Sequence, residues 1–502
     1  MGRIIFTRTT LATSLIITSL LLQGCVTTNP ATGGSDFTPF MSPAKELALG
    51  KQQHPLVIKQ HGGVLDVPRV AGYVAVVGGR LAAVSELQKS PFTFTVLNSP
   101  IVNAFALPGG YIYVTRGILA LFNSESEMAS VLGHEIGHVT ARHSAKRYNQ
   151  QLFTGLGVAL LGAVLKSKDV GDALGYGSQL YLKSYSRGNE YESDQLGVRY
   201  STRAGFDPYA AAHMLRSLDA ESTLKDQIAN RTGRQRPPEF FSTHPNTQDR
   251  VSRAYAAAQK TGRDPNSPNR VQDRNRYLNV IDGMIYGDDP VQGVIQGREF
   301  LHGPMQLKFK VPAHYRLNNG LEMVTAVGSG PAEGGIIIFS GDPLKGRNMI
   351  EFTSDTWKSF AKETSLRGLE DLTINGMAAI TGWNDITVAK IPSRVRIIAI
   401  RHSANQAYFF LTITPLNKLD SLGTDLRRMT YSFQKLSPRQ AANIKGKVIR
   451  IVTVRPGDTD TKLSRRMAFT DHRLDRFLVL NGLQGGQRLL VGERMKLIVY
   501  DR

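Results

Sequence analysis

The 502 residues include a single cysteine, Cys25. An internal disulfide is therefore excluded, and the lone thiol needs another use. Acidic side chains are also scarce: 41 Asp and Glu stand against 61 Lys and Arg, a formal charge of +20. So basic a chain suits an anionic partner, whether lipid headgroup, cell-wall polymer or nucleic acid, without choosing among them. Long apolar runs are missing too. Leu11–Leu22 and Leu152–Val164 both fall short of the roughly 20 residues that span a bilayer. Apolar residues as a class are not scarce. At 41% they match ordinary globular proteins, and the length allows two to four domains with cores of their own.

Residues 1–24 read as a secretory signal, with Arg3 and Arg8 as the basic start and Leu11–Leu22 as the apolar region. The segment runs into Leu22-Gln23-Gly24-Cys25, which resembles the box at which bacterial lipoproteins are cut and their cysteine lipidated. Lipidation would occupy Cys25, each buried CH₂ adding about 0.8 kcal/mol of membrane holding. Residues 25–43 are rich in Thr, Gly, Pro and Ser and read as a tether.

The chain is organised around Ser124–His143, which contains His134-Glu135-Ile136-Gly137-His138. On a helix, the four-residue spacing puts both imidazoles on one face. Two such imidazoles grip one Zn²⁺, and Glu135 beside them can take a proton from water. Ser124 and Glu127 have capping-box spacing, and Met128, Val131, Leu132 and Val139 give a buried stripe. Gly133 and Gly137 cost about 1 kcal/mol each against Ala. Close approach of another backbone or of a metal accounts for them.

A second helix is expected from about Ser186 to Ala204, stopped by Gly205. Glu190 and Asp194 share one face, so a carboxylate there can complete a His₂Glu zinc site. Asp194 is then placed to accept a ligand histidine's N–H. Asn103, Ala104, Phe105 and Ala106 form a strand ahead of the metal helix and could hold an extended peptide by main-chain pairing. A plain core hairpin fits the same residues.

Together, His134–His143, Asn103–Gly110 and Ser186-Arg187-x-x-Glu190-x-Glu192-x-Asp194 resemble the zinc metallopeptidases of the CAAX-prenyl-protease type, metallopeptidase family forty-eight. The likeness is greatest to its periplasmic lipoprotein branch, the BepA-like enzymes, and covers about residues 44–260. It implies a mainly helical gluzincin fold with one Zn²⁺ per chain. It also implies His134, His138 and Glu190, not Glu192, as ligands. Ser242-Thr243-His244-Pro245-Asn246 resembles a family segment whose His can approach the metal and hold the enzyme latent. A capping or core role fits His244 as well. The helical repeats of that branch are absent, so its partner contacts do not transfer.

The expected architecture is a multidomain α+β chain. A zinc-protease domain with a small antiparallel sheet occupies 44–260, and a linker or connector 261–302. An α+β domain of unknown function follows at 303–436. The last part, 445–502, resembles a βααβ LysM module, with Gly457-Asp458-Thr459, Leu480-Asn481-Gly482-Leu483 and a closing Leu497-Ile498. LysM modules bind N-acetylglucosamine chains such as peptidoglycan, and thirteen Lys and Arg against six Asp and Glu over Ala441–Arg502 suit an acidic wall. The resulting expectation is a periplasmic zinc endopeptidase, lipid-anchored at Cys25 to the outer membrane. It would act on misfolded or misassembled envelope polypeptides, with no nucleic-acid partner. Two rivals are a wall-binding, chaperone-like scaffold with a latent or structural zinc site, and a wall hydrolase.

Overall fold

The computed structural model describes residues 26–150, 184–229, 239–245, 249–265, 269–362 and 364–501. The signal segment 1–24, Cys25 and the apolar run 152–164 lie outside the described residues. The chain forms two compact units, one reaching to Tyr286 and including Val448–Val499, the other spanning Gly287–Lys447 with Tyr500–Arg502.

The first unit opens with a small hairpin, β1 (Val26–Thr28) against β2 (Ser35–Phe37). Two helices follow, α1 (Pro43–Gln60) and α2 (Pro68–Ala82), each begun by proline, whose fixed φ suits the first helical position. Val70, Val74, Val77 and Leu81 give α2 its buried face. Next comes a sheet of order β3-β5-β4, made of β3 (Thr93–Leu97), β4 (Ala104–Leu107) and β5 (Tyr111–Thr115). Pro108-Gly109-Gly110 closes the β4–β5 hairpin, with φ of 81° and 86° at the glycines. A Cβ on Gly109 would lie 2.8 Å from the Leu47 Cα, so only glycine passes there. The sheet is mixed rather than antiparallel as expected. The 98–103 connection carries the chain across β5, so β3 pairs with it in parallel while β4 pairs antiparallel.

Helix α3 (Arg116–Leu121) leads into α4 (Glu125–Thr140), and α5 (Arg187–Arg203) packs on α4. Ser124 caps α4 by accepting from the Glu127 N–H at 3.1 Å. The reciprocal arm of the capping box lands one residue early, on the Asn123 N–H at 2.6 Å. Gly133, Gly137 and Gly197 explain how α4 and α5 approach so closely. A Cβ on Gly197 would meet the His134 N at 3.0 Å, and one on Gly137 the Ser193 Cα at 3.2 Å. The remaining helices of this part are α6 (Ala210–Ile228), α7 (Glu239–Thr243), α8 (Asp249–Gln259) and α9 (Asn269–Ile281), followed by the short strand β6 (Ile285–Tyr286).

The second unit holds a small sheet of order β17-β9-β8-β7, from β7 (Val294–Gln296), β8 (Glu299–His302), β9 (Leu307–Lys310) and β17 (Gln434–Lys435). Its main sheet is antiparallel and seven-stranded. It is built from β10 (Tyr315–Asn319), β11 (Val324–Gly328), β12 (Ile336–Pro343), β13 (Arg367–Ile374), β14 (Met377–Val388), β15 (Ile391–Arg401) and β16 (Gln406–Pro415), in the order β10-β11-β12-β16-β15-β14-β13. Side chains alternate across it. Val395, Ile397, Phe409 and Leu411 pack under α10 (Met349–Phe360), with Phe352 and Trp357. Ile398, Ile400 and Phe410, on the other face, pack under α11 (Leu419–Thr430), with Leu422, Leu426 and Met429.

The closing segment follows α12 (Pro438–Ala442) and runs β18 (Lys447–Thr453), α13 (Asp460–Ser464), α14 (Arg473–Asn481), β19 (Arg494–Tyr500), with β18 between β19 and β6. Ile449, Phe477, Leu480, Met495 and Leu497 share one continuous core with Phe122, Met128 and Leu132. Lys496 is fully buried there. Its Nζ donates to the carbonyls of Ala120, Leu121 and Phe122 at 2.8, 3.2 and 2.7 Å, capping the C-terminal end of α3. A cation there meets the negative end of the helix and its unpaired carbonyls. Asn481 holds the lysine's backbone from both sides, at 2.7 and 3.0 Å.

Candidate metal centre

His134 and His138, one turn apart on α4, bring their Nε2 atoms to 3.0 Å. Glu190, in the first turn of α5, places carboxylate oxygens 3.6 Å from His134 Nε2 and 3.5 Å from His138 Nε2. His244, just beyond α7, adds Nδ1 at 3.3 Å from His134 Nε2 and 3.2 Å from Glu190. All four residues are buried. A tetrahedral zinc site with arms of about 2.0–2.1 Å has edges of about 3.3–3.4 Å. The separations here bracket that edge, and the donors are the N and O types that zinc takes, so the residues fit the ion.

The second nitrogen of each helix histidine is also engaged. Asp194 accepts from His134 Nδ1 at 3.0 Å, leaving the Nε2 lone pair for a metal. Arg250 from α8 forks onto Asp194 at 2.8 and 2.7 Å and reaches Glu190 at 3.0 Å. Burial works against the Asp194 carboxylate, but Arg250 and His134 outweigh it and hold its pKa low. His138 has a longer connection. Its Nδ1 lies 2.9 Å from His143 Nδ1, and His143 Nε2 lies 3.0 Å from Glu192 Oε2. Burial pushes the His143 pKa down, favouring the neutral ring. A neutral His143 that donates to Glu192 through Nε2 must accept through Nδ1. His138 then carries its proton on Nδ1 and turns a bare Nε2 to the site. Tyr185 stacks flat on His138, centroids 3.9 Å apart.

Glu135 is fully buried, and neither carboxylate oxygen has a hydrogen-bond partner. Burial raises its pKa, against the pull of His244 and His134. Burial would likewise raise Glu190, but His244, His138 and His134 hold it well below the usual carboxylate range. His244 is raised although burial opposes it, because Glu190 and Glu135 face it. Its Nε2 lies 3.5 Å from Glu135 Oε1 and 3.3 Å from the Ala104 carbonyl on β4. His244 thus touches both the donor cluster and the edge strand of the sheet.

Of the residues singled out in the sequence, the fold gathers His134, Glu135, His138, Glu190, Asp194 and His244 in one place, with the edge strand of Ala104, Phe105 and Ala106 alongside and Asn103 just before it. Glu192 faces His143 instead of joining the cluster. Sequence reasoning passed over His143, Arg250 and Tyr185. His143 carried a signal, a third histidine five residues after the motif. What aims it inward is Arg142, in the left-handed region at φ 54°. Arg142 is held there by Glu46 at 2.8 Å and the Met41 carbonyl at 2.8 Å.

Comparison with known proteins adds the family. Residues 68–258 match peptidase family M48. The chain is 31% identical over 260 residues to the beta-barrel assembly-enhancing protease of Yersinia pestis, covering 48% of this chain and 51% of that protein. It is 30% identical over 200 residues to the protein of that name in Escherichia coli K12, covering 38% and 39%. To the mitochondrial metalloendopeptidase OMA1 of Arabidopsis thaliana it is 35% identical over 170 residues, covering 34% and 32%. The chain thus spans about half the length of these relatives or less. With this match around a buried His-His-Glu cluster, residues 68–258 form a zinc metallopeptidase domain of peptidase family M48, similar to that of the beta-barrel assembly-enhancing proteases.

Proposed function

We propose that the protein is a zinc endopeptidase of a bacterial cell envelope that degrades misfolded or misassembled envelope proteins. The observation that carries this is the convergence of His134, His138 and Glu190 beside the Glu135 carboxylate, which accepts no hydrogen bond among the described residues. His134, His138 and Glu190 would hold the metal. When bound, zinc supplies Lewis acidity at the scissile carbonyl and makes water acidic enough to lose a proton near neutral pH. Glu135 takes that proton and passes it to the leaving amine, a role its raised pKa favours. The edge of β4 pairs with an extended substrate, and His244 must leave both the cluster and the Ala104 carbonyl for the substrate to enter. Lipid anchoring at Cys25, outer-membrane attachment and peptidoglycan binding by 445–502 belong to the same reading. No described helix is long and apolar enough to cross a membrane.

One observation favours a second reading. With His244 the site offers four protein donors, as closed structural zinc sites do. The protein would then be a wall-binding scaffold with a latent or structural zinc. Cleavage of unfolded casein by the purified protein separates the two. An endopeptidase degrades it, stops with a chelator, and gains rate in His244→Ala. A scaffold leaves casein intact in every case.

A further inference from the structure

The face of the seven-stranded sheet beneath α11 changes character along its strands. Near Ile398, Ile400 and Phe410 it is apolar core. Further along the same face, Thr381, Arg394, Arg396, Thr412 and Thr414 replace the aliphatic side chains and line a cavity of about 370 Å³, whose wall also carries Arg427 and Tyr431 and, at exposed positions, the carboxylates of Glu370 and Asp420. Register puts Arg396 opposite Thr412 and Arg394 opposite Thr414, so guanidinium and hydroxyl stand side by side on neighbouring strands.

The charges here are incompletely matched. Arg394 is committed: it forks onto Asp385 at 2.8 and 2.9 Å and lies over the Trp383 ring. Arg396 is half-buried and makes no hydrogen bond or ion pair among the described residues. Arg427 is exposed and, among the described residues, hydrogen-bonds only to Thr424, at 3.2 Å. Burial, then the nearby charge of Arg427, lowers the Arg396 pKa, and Glu370 only partly offsets this. The half-buried Arg396 guanidinium, withdrawn from water without a partner, is unfavourable, and the like charge of the exposed Arg427 beside it compounds this. An anion with several acceptor oxygens relieves both.

We propose that this cavity binds a phosphate group, with Arg396 and Arg427 as its cationic ligands and the Thr412 and Thr414 hydroxyls completing the cradle. A dianion neutralises both free guanidiniums at once, whereas a single carboxylate satisfies one fork. The cavity accommodates a small phosphate ester, free in solution or presented as a lipid headgroup, and it lies wholly within the second unit.

The test uses the full chain at constant ionic strength. Inorganic phosphate is titrated against a chloride control by calorimetry, alongside Arg396→Gln, Arg427→Gln and the double variant. Saturable binding that weakens at least tenfold in each single variant and vanishes in the double, with thermal unfolding unchanged, supports the site. Binding unaffected by both substitutions, or none above the chloride control, overturns it. Arg396→Lys, which keeps the charge, should bind better than Arg396→Gln, and equal loss in both would also count against the site. Vesicles of phosphatidic acid, whose headgroup is a phosphate monoester, in phosphatidylcholine identify the source. Loss of vesicle binding in the double variant assigns a headgroup. Phosphate binding without arginine-dependent vesicle binding assigns a soluble ester.

Discussion

His138 Nδ1 lies 2.9 Å from His143 Nδ1, and through this contact a ligand imidazole is oriented by the partly exposed carboxylate of Glu192. Removing the acceptor lets His143 move its proton to Nδ1, where it opposes the His138 N–H. Glu192→Ala should therefore weaken zinc binding about 10–100-fold, the usual range for an outer partner of a ligand. Glu192→Gln should recover most of it, since its amide oxygen can accept the same bond. Chelator competition measures both. Unchanged affinity in Glu192→Ala would show that the contact orients nothing.

Glu135→Gln should bind one zinc per chain with affinity near that of the parent, because no ligand is touched. Casein cleavage should fall by about 10²–10⁴-fold, the contribution expected of a positioned proton acceptor. Metal analysis and a cleavage assay on the same sample decide it. Full cleavage with full zinc would remove Glu135 from the reaction.

The close passage of α4 and α5 rests on Gly197, whose missing Cβ would sit 3.0 Å from a backbone atom of His134. Backbone cannot step aside as a flexible side chain does. Gly197→Ala should destabilise by about 1–3 kcal/mol, and it should also weaken zinc binding, since Glu190 reaches the cluster from the helix that is pushed away. Gly188→Ala is the control: only Ser186 Oγ, at 3.9 Å, is near, so affinity and melting temperature should hold. Equal behaviour of the two variants would mean the spacing is not set there.

Lys496→Met keeps the bulk of the side chain but takes the lysine donor from the Ala120 and Phe122 carbonyls, while the Leu121 carbonyl keeps Asn123 Nδ2 at 3.1 Å. A loss of about 3 kcal/mol is expected, appropriate to unsatisfied buried groups. Glu127, buried near this lysine, then loses an opposing charge. Adding Glu127→Gln should return part of the loss, a coupling that a double-mutant cycle reads directly. Strictly additive effects in denaturant unfolding would separate the two residues.

Local chemistry made the metal helix legible: Ser124, the apolar spacing and the two histidines all act within a few turns. The partners of those histidines were less so, because their positions depend on distant chain. His143 points inward only because Arg142 is pinned by Glu46, and Arg250 arrives from another helix. The direction of β3 was hidden for a similar reason, since pairing across β5 leaves no mark in either strand. Strands β13 and β14 escaped notice because Arg367, Glu370 and Asp371 give the edge strand a solvated look, and Gly382 and Asn384 interrupt alternation in its neighbour. Such charge is how a sheet edge resists pairing with other chains. Lys496, counted among surface cations in the sequence, is inside.

Burial of Lys496 beneath α3 also sets an order of events in synthesis. The helix that bears His134 and His138 is made before the whole second unit, and the strand completing the core around it only after that unit. Until β19 is made, the nascent chain carries its zinc ligands without the wall that steadies them. A domain assembled this way reaches its working form only once β19 is available to fold, and chains interrupted before that strand are left with an open core.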